Sequence, residues 1–147
     1  MTLPSPLPIK TGMLDSLMGY HLRRAQSAVF AEFMRSMADD QVTPGQFGVL
    51  VLIDENPGLN QSALAKALGI ERSTMVGVID MLEHRRLIER RKSPTDKRAH
   101  ALALTDQGRR LLEAVKPKVG RHERRVMDCL SQQEADLLMS LLKRITL

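Results

Sequence analysis

The chain has 147 residues, with 22 Lys and Arg, 17 Asp and Glu, one cysteine, one tyrosine, three phenylalanines and no tryptophan. Its length fits a single domain with a substantial core, and one cysteine excludes an intramolecular disulfide. No apolar run approaches the roughly 18 to 20 residues of a membrane span, and the first residues lack the charged start and apolar block of a signal peptide. We therefore expect a soluble, cytoplasmic protein with no membrane partner.

Two predicted segments open the chain. Residues 1–12 carry Pro4, Pro6 and Pro8 at alternate positions, which favours an extended, disordered arm. From 13 to 38, apolar residues recur at steps of three and four, which indicates a long amphipathic helix. These apolar positions are Leu14, Leu17, Met18, Leu22, Ala25, Val29, Phe33 and Met37.

A helix-turn-helix pattern follows after one further helix. Thr43–Gln46 supplies an N-cap, a proline at the first helical position and a capping-box glutamine, so a helix is predicted from there to about Glu55. Asn60 is the N-cap of a second, short helix, and Gly69 supplies the turn before a third, from Arg72 to His84. Two short helices joined through a glycine turn are typical of a helix-turn-helix.

A hairpin and two helices complete the chain. Residues 86–92 and 99–104 are predicted strands, separated by a turn signal at 93–96. Thr105 ends the hairpin and begins a helix to about residue 128, which Pro117 is predicted to kink. A capping box at 131–134 begins the last helix. The predicted buried face of that helix holds Leu137, Leu138, Leu141, Leu142 and Ile145.

The basic charge of the chain is concentrated around the predicted hairpin. Residues 84–98 hold seven Lys and Arg against two acids, a local net charge of +5 that equals the net charge of the whole chain. A solvated charge run is the ordinary explanation of such a segment. Its position behind the helix-turn-helix favours a polyanion as its neighbour, and the scarcity of aromatic rings argues for duplex DNA rather than single strands.

Three outer helices, near 13–38, 105–128 and 132–146, each carry an apolar stripe that the compact middle of the chain cannot cover. We therefore predict that they interlock with a second copy, in a symmetric homodimer that presents two helix-turn-helix units on one face. The alternative is a helical cap formed within one chain.

From residue 13 to 146 the chain resembles the MarR family of bacterial transcription regulators in the order of its elements. The most specific part is Asp96-Lys97-Arg98, followed by a strand and by Leu104-Thr105-Asp106-Gln107-Gly108. The resemblance implies a mainly α fold with a small β-hairpin wing, in which a winged helix-turn-helix DNA-binding core has N- and C-terminal dimerisation helices. It divides the chain into a disordered arm at 1–12, dimerisation helices at 13–38 and 105–147, and a DNA-binding region at 39–104.

The resemblance also implies a recognition helix in the major groove of palindromic double-stranded DNA and a wing in the flanking minor groove. Arg72, Ser73 and Thr74 lie in the first turn of that helix, where side chains and backbone N–H groups can meet phosphates and base edges; helix capping is the alternative. In the wing, Asp96 can hold Arg98 extended toward a narrow minor groove, or the two form a surface salt bridge without a role. The predicted DNA-binding residues are Gln61, Arg72, Ser73, Thr74, Arg90, Lys92, Asp96, Lys97 and Arg98.

Three sites depart from the family pattern. Glu71 replaces the usual capping Ser or Asp, residues 76–77 (Val-Gly) replace a small polar residue and an Arg, and Arg86 replaces a common Gly. The base contact of the missing Arg is therefore not carried over. We expect base specificity to depend more on Arg72, Thr74 and the wing.

The family resemblance implies a small-molecule pocket between the first helix, the helix that begins at Pro44 and the start of the helix after Gly108. Arg24 and His21 can pair with a carboxylate or phosphate there, which favours an anionic aromatic acid or its coenzyme A thioester as effector. The alternative is that these side chains merely pack or meet solvent. The predicted ligand-binding residues are Tyr20, His21, Arg24, Phe47, Val51 and Arg109.

The sequence holds no constellation of residues typical of an enzyme or a metal site. His21, His84, His100 and His122 are too far apart for a His-x-x-His pair, and we expect each on the surface. Cys129 is expected to be a buried structural thiol. We therefore predict no enzymatic activity, no cofactor and no metal.

The predicted function is a ligand-responsive, sequence-specific DNA-binding regulator, and in particular a repressor that its effector releases. One alternative is a DNA-binding or architectural regulator that has no effector. The other is a regulator that senses redox state through Cys129.

Overall fold

The computed structural model describes residues 9–92 and 100–145. A 3₁₀ helix at Gly12–Ser16 comes first, and the elements after it are α1 (Met18–Ser36), α2 (Pro44–Glu55), α3 (Gln61–Leu68), α4 (Arg72–His84), β1 (Ile88–Lys92), β2 (His100–Leu104), α5 (Asp106–Met127) and α6 (Gln132–Arg144). These helices and the antiparallel strand pair confirm the predicted mainly α fold with a small hairpin. Within the described residues, none of the helices is both long and apolar enough to cross a membrane.

Capping chemistry sets the bounds of the helices that lead to the helix-turn-helix. At α2, the Thr43 hydroxyl accepts from the Gln46 N–H at 3.2 Å, and the Gln46 side chain accepts from the Thr43 N–H at 3.1 Å, which completes the predicted capping box. At α3, the Asn60 side chain accepts from the Ala63 N–H at 2.9 Å. The predicted bounds of α2 and α4 agree with the observed bounds.

The turn between α3 and α4 depends on a left-handed glycine. Gly69 has φ 62° and ψ 32°, and the Ile70 N–H behind it donates to the Ala65 carbonyl at 3.0 Å. A glycine adopts this conformation at no steric cost, which is why the predicted turn forms here. The chain therefore reverses tightly enough for α3 and α4 to pack together.

The hairpin is antiparallel, with Ile88 opposite Leu104 and Lys92 opposite His100. Its first strand begins two residues later than predicted, because Arg86 has a left-handed φ of 56° and cannot continue an extended strand. The segment at 93–99, which includes the predicted turn, lies outside the described residues.

The base of the hairpin, where the chain enters β1, lies directly against the start of α5. A Cβ atom built on Gly108 would lie 2.0 Å from the Leu87 carbonyl oxygen, so only glycine fits this position. The Thr105 hydroxyl accepts from the Gly108 N–H at 3.0 Å and donates to the Arg86 carbonyl at 2.6 Å. These contacts fix the hairpin relative to α5.

A continuous core joins the helix-turn-helix to the long helices. Met75, Ile79 and Leu82 on the inner face of α4 are fully buried. Their packing partners come from α1, α2, α3, both strands and α5; the buried members outside α4 include Phe33, Met37, Val49, Leu50, Leu64, Leu87, Ile88, Leu102, Leu104, Leu112 and Val115. The core therefore holds α4 at a fixed place with its opposite face outward.

Three predictions about the outer helices need correction or qualification. The predicted helix at 13–38 is divided, because Leu17 is extended (ψ 118°) between the 3₁₀ helix and α1. The apolar face predicted to be buried on α6 is exposed in the single chain, where α6 has no buried residue. Helix α5 continues through Pro117, and the predicted kink at this residue stays a prediction.

Candidate nucleic-acid interface

The first turn of α4 presents its polar groups outward. Arg72, Ser73 and Thr74 are all exposed. The N-cap is Glu71, which forms no capping hydrogen bond through its side chain, and Ser73 lies inside the helix rather than at its cap. The backbone N–H groups of this turn are therefore available to an external anion such as a phosphate.

The hairpin divides its arginines between two faces, as strand alternation requires. Arg90 points toward α4, where its guanidinium contacts Asp80 at 2.7 Å and Glu83 at 3.5 Å. Arg91 points the other way and pairs with Glu89. Arg90 therefore links the hairpin to α4, and the two acids of α4 largely offset its charge.

Two other predicted DNA-binding residues, Gln61 and Lys92, lie near Arg90. Gln61 is the first residue of α3 and is half-buried. Together with Asn60, Ser62, Arg90, His100 and Leu102 it lines a cleft of about 290 Å³ between α3 and the hairpin. Lys92 ends β1 and is exposed. Asp96, Lys97 and Arg98, the predicted minor-groove residues, lie outside the described residues.

The predicted ligand-binding residues separate into two groups within one chain. In the first, at the start of α1, the Arg24 guanidinium lies 5.5 Å from the centre of the Tyr20 ring, and the His21 ring meets that ring edge-on at 5.4 Å. In the second, Arg109 lies 4.0 Å from Asp54, and Phe47 packs near Phe33 with 6.3 Å between ring centres. Val51, on the same helix as Phe47, packs against the core.

No hydrogen bond, ion pair or aromatic contact joins these two groups among the residues that the structure describes. These contacts therefore leave the two groups unconnected within the described part of the single chain.

A groove of about 600 Å³ lies between α1, the end of α5 and α6, and sequence reasoning did not find it. Its floor includes Val29, Val126 and Leu138. At its edge, the Glu32 carboxylate accepts from Arg35 at 2.7 Å and lies 3.2 Å from Arg125. The groove is mainly apolar because it lies along the predicted dimerisation stripe.

The comparisons with known proteins agree with this geometry. The model of the MarR family matches residues 42–100. A relative from Thauera aromatica, described as a putative transcriptional regulatory protein for the hcr operon, is 42% identical over 135 residues, which cover 91% of this chain and 81% of that protein. The chain belongs to the MarR family.

Solved structures of one MarR-family repressor, CouR, are similar along nearly the whole chain. CouR bound to a 23-mer DNA duplex is 46% identical, with a TM-score of 0.87 and coverage of 95% of this chain and 99% of CouR. CouR bound to p-coumaroyl-CoA is 45% identical, with a TM-score of 0.88 and coverage of 94% and 97%. This MarR-family protein is a DNA-binding transcription regulator, and its relatives are regulators rather than enzymes.

Two sequence predictions about this MarR-family protein are wrong for the single chain. His122 is not on the surface: it is fully buried against Phe33, 5.2 Å between ring centres, and neither ring nitrogen has a hydrogen-bond partner within the described ranges. It was missed because its place on the inner face of α5 follows from packing and not from its residue type. Cys129 is exposed, since it lines the groove beside α6 instead of the core. The other three histidines are exposed, as predicted.

Proposed function

We propose that this protein is a homodimeric transcriptional repressor, which binds a palindromic DNA duplex and is released by an anionic aromatic acid or its coenzyme A thioester. The observation that carries the proposal is the likeness, over at least 94% of this chain, to one repressor seen both with DNA and with p-coumaroyl-CoA. A regulator of this kind acts where the chromosome lies, so we also propose a cytoplasmic location.

The proposed DNA contacts begin at the first turn of α4. Arg72, Ser73 and Thr74 would meet phosphates and base edges in the major groove, while Lys92 and the wing residues Asp96, Lys97 and Arg98 would reach the adjacent backbone and minor groove. Gln61 is next to a cleft that Arg90 also lines, so we assign it to the DNA side of α3. Arg90 itself would act mainly by holding the hairpin against α4, since its guanidinium already meets two carboxylates.

The proposed dimer uses the segments 13–38 and 105–147. In the single chain many of their large apolar side chains are exposed, and a second copy would bury them. The exposed members include Leu14, Leu17, Met18, Leu22, Phe30, Met34, Leu137, Leu138, Met139, Leu141, Leu142 and Ile145.

The proposed effector site uses the cluster at the start of α1. Arg24, held over the Tyr20 ring, carries a charge that suits a carboxylate or a coenzyme A phosphate, and His21 lies beside it. Phe47, Val51 and Arg109 would supply the aromatic-acid end of the pocket once the dimer forms. Because the site would lie between dimer helices and DNA-reading helices, occupancy would change the spacing of the two α4 helices, which half-sites about 34 to 36 Å apart tolerate poorly.

The test begins with selection of a binding site from a random duplex library by the purified protein. The selected duplex is then titrated with p-coumaroyl-CoA and with free p-coumarate while fluorescence anisotropy follows release of the DNA. We expect release at micromolar concentrations by at least one of the two compounds. Arg24→Ala should weaken that response and leave DNA affinity nearly unchanged.

Other outcomes identify the alternatives. If no duplex is selected, the protein is not a sequence-specific regulator. If a duplex is selected but neither an aromatic acid nor a thioester releases it, the regulator without an effector is favoured. If peroxide releases the wild type but not Cys129→Ser, redox sensing is favoured.

A further inference from the structure

Two adjacent weak helix formers stand in the middle of the recognition helix. Val76 is 41% exposed, and Gly77 beside it is also exposed. Valine and glycine both lower helix stability relative to alanine at an exposed position, where packing gives no compensation. Helix stability therefore does not explain why Val76 and Gly77 occur at these positions.

The packing of the chain does not require Gly77. A Cβ atom built on Gly77 would meet no described atom within 4 Å, and its φ lies outside the left-handed region. Gly108 is different, since a Cβ atom there would collide with a carbonyl oxygen, and so is Gly69, with its left-handed φ. Gly77 is thus a helical glycine that neither sterics nor backbone conformation within the described chain explains.

Gly77 lies on the outward side of α4, and the exposed Val76 lies about 100° around the helix from it. At 100° per residue, Gly77 shares a face with Ser73 and is directed away from the buried Met75 and Ile79. This face therefore holds Ser73, one of the three predicted DNA contacts in the first helical turn. The open space over Gly77 therefore continues the proposed DNA interface.

The charge of this face is compatible with DNA. Asp80 follows Gly77 by three residues and would repel phosphates if it were unpaired. Its carboxylate accepts a hydrogen bond from Arg90 at 2.7 Å, and this arginine, which also lies 3.5 Å from Glu83, offsets part of the charge of the two acids where a duplex would approach.

We propose that Val76 and Gly77 together form a methyl-reading site of the recognition helix. The exposed methyl groups of Val76 pack on the C5-methyl group of a thymine, the apolar feature by which the major groove marks an A·T pair. Gly77, without a side chain, lets the backbone of α4 come close enough for that contact. The inference rests on the proposed function, because it names part of the sequence that such a regulator selects.

The test removes one methyl group from the DNA. Each thymine of the selected duplex is replaced singly by deoxyuridine, which lacks only the C5-methyl group, and dissociation constants are measured. At one or more positions wild-type binding should weaken about fourfold, the equivalent of about 0.8 kcal/mol for one buried carbon. In Val76→Ala the same replacement should have no further effect.

Met81→Ala is the matched control for this cycle. Met81 is also an exposed apolar residue of α4, but its sulfur accepts from the Gln46 side chain at 3.0 Å, so it faces α2. The deoxyuridine penalty should stay at about fourfold in this variant. A penalty that persists unchanged in Val76→Ala, or a wild type insensitive to every replacement, would overturn the assignment of Val76.

Gly77→Ala tests the close approach. The variant should raise the melting temperature of the protein by about 2 °C, because alanine favours the helix, and should weaken binding of the selected duplex about tenfold, because its methyl group blocks the approach. Gly45→Ala, in the first turn of α2, also has no described atom within 4 Å of the built Cβ atom, and it should raise the melting temperature without changing DNA affinity. Unchanged DNA affinity in Gly77→Ala would overturn the role of Gly77.

These outcomes separate the inference from the function on which it rests. A protein that selects a duplex but passes neither test is still a sequence-specific regulator, with a different contact surface. A protein that selects no duplex loses both the proposed function and the methyl-reading site.

Discussion

Arg86 is a non-glycine residue in a backbone conformation that favours glycine. It follows the end of α4 in the left-handed conformation, while its N–H donates to the Glu83 carbonyl at 2.8 Å and the Leu87 N–H donates to the Leu82 carbonyl at 2.9 Å. The same hydrogen-bond pattern ends α3, where the left-handed residue is Gly69. An arginine here bears a steric cost that glycine avoids.

We predict that Arg86→Gly stabilises the protein. Relief of the left-handed strain should raise the free energy of unfolding by roughly 1–2 kcal/mol. The greater freedom of glycine in the unfolded chain should lower it by about 0.5–1 kcal/mol, so the net gain should be about 0.5–1 kcal/mol. The free energy of unfolding from urea titration measures it. Arg86→Ala is the control, since it removes the same charge but keeps the strain; an equal gain in both variants would show that charge and not backbone conformation is responsible.

At the scale of elements, an ionic cluster joins α1 to α5. Glu32 of α1 accepts from Arg35 on its own helix and pairs with Arg125 of α5, whose guanidinium also donates to the Ser36 hydroxyl at 2.6 Å. The hydrogen bond from Arg35 holds the pKa of Glu32 below its ordinary value, and the charges of Arg125 and Arg35 act in the same direction against the effect of partial burial. The cluster therefore favours the ionised carboxylate in the folded state.

The sign of the resulting pH dependence follows from linkage. Because the pKa of Glu32 is lower in the folded than in the unfolded state, its stabilising contribution is present above the ordinary carboxyl pKa and is lost as the pH falls through the folded-state value. We predict that Glu32→Gln is less stable than the wild type at pH 7 and that the difference disappears in acid. Thermal unfolding between pH 7 and pH 3 measures it.

Glu55→Gln is a suitable control for this experiment, because Glu55 is exposed at the end of α2. It removes one carboxylate that does not join α1 to α5, so the loss of stability predicted for Glu32→Gln should be absent from it. A gap between Glu32→Gln and the wild type that stays constant into acid would mean that the carboxylate does not stabilise α1 against α5 through its charge.

At the scale of the whole molecule, α6 has no buried residue in the single chain although its apolar residues form a stripe. We predict that replacing Leu138 and Leu141 together by Asp yields monomers or unfolded chains, because the proposed dimer would have to bury two unpaired charges per copy. Sedimentation velocity and circular dichroism distinguish these results. An unchanged dimer would exclude this stripe from the interface.

The matched control for the dimer adds the same charge to the opposite side of α6. Gln132 and Ser140 are exposed and lie about 100° or more around the helix from both Leu138 and Leu141. Replacing both by Asp should leave the sedimentation coefficient unchanged, which would show that position rather than added charge disrupts the dimer.

DNA binding should depend steeply on salt, because the basic segment displaces counterions from phosphates. With roughly six phosphate contacts per dimer, affinity should fall on the order of a thousandfold between 50 and 200 mM salt. Arg72→Ala should lower the slope by about one for each phosphate that the variant no longer neutralises, whereas Lys143→Ala at the end of α6 should not change it. A nearly flat dependence would contradict the electrostatic role of the segment.

Local chemistry was enough to predict the helix-turn-helix. The bounds of α2 and α4, the Asn60 and Ser131 caps and the left-handed turn at Gly69 depend on hydrogen bonds and sterics between residues a few positions apart, which can be read directly from the sequence. The basic segment was likewise visible as composition. So was the resemblance to the MarR family, which rests on short motifs with fixed spacing.

Tertiary structure decided the burial and the contacts of several other residues. The pairing of Arg90 with Asp80, the burial of His122 against Phe33 and the exposure of Cys129 all depend on which helix faces arrive together, and residue type does not specify that. The same is true of Gly77: in the sequence it marks only a departure from the family pattern, whereas the fold shows open space above it. Short-range interactions determined the elements of this protein, and long-range packing determined which of their side chains are free to act.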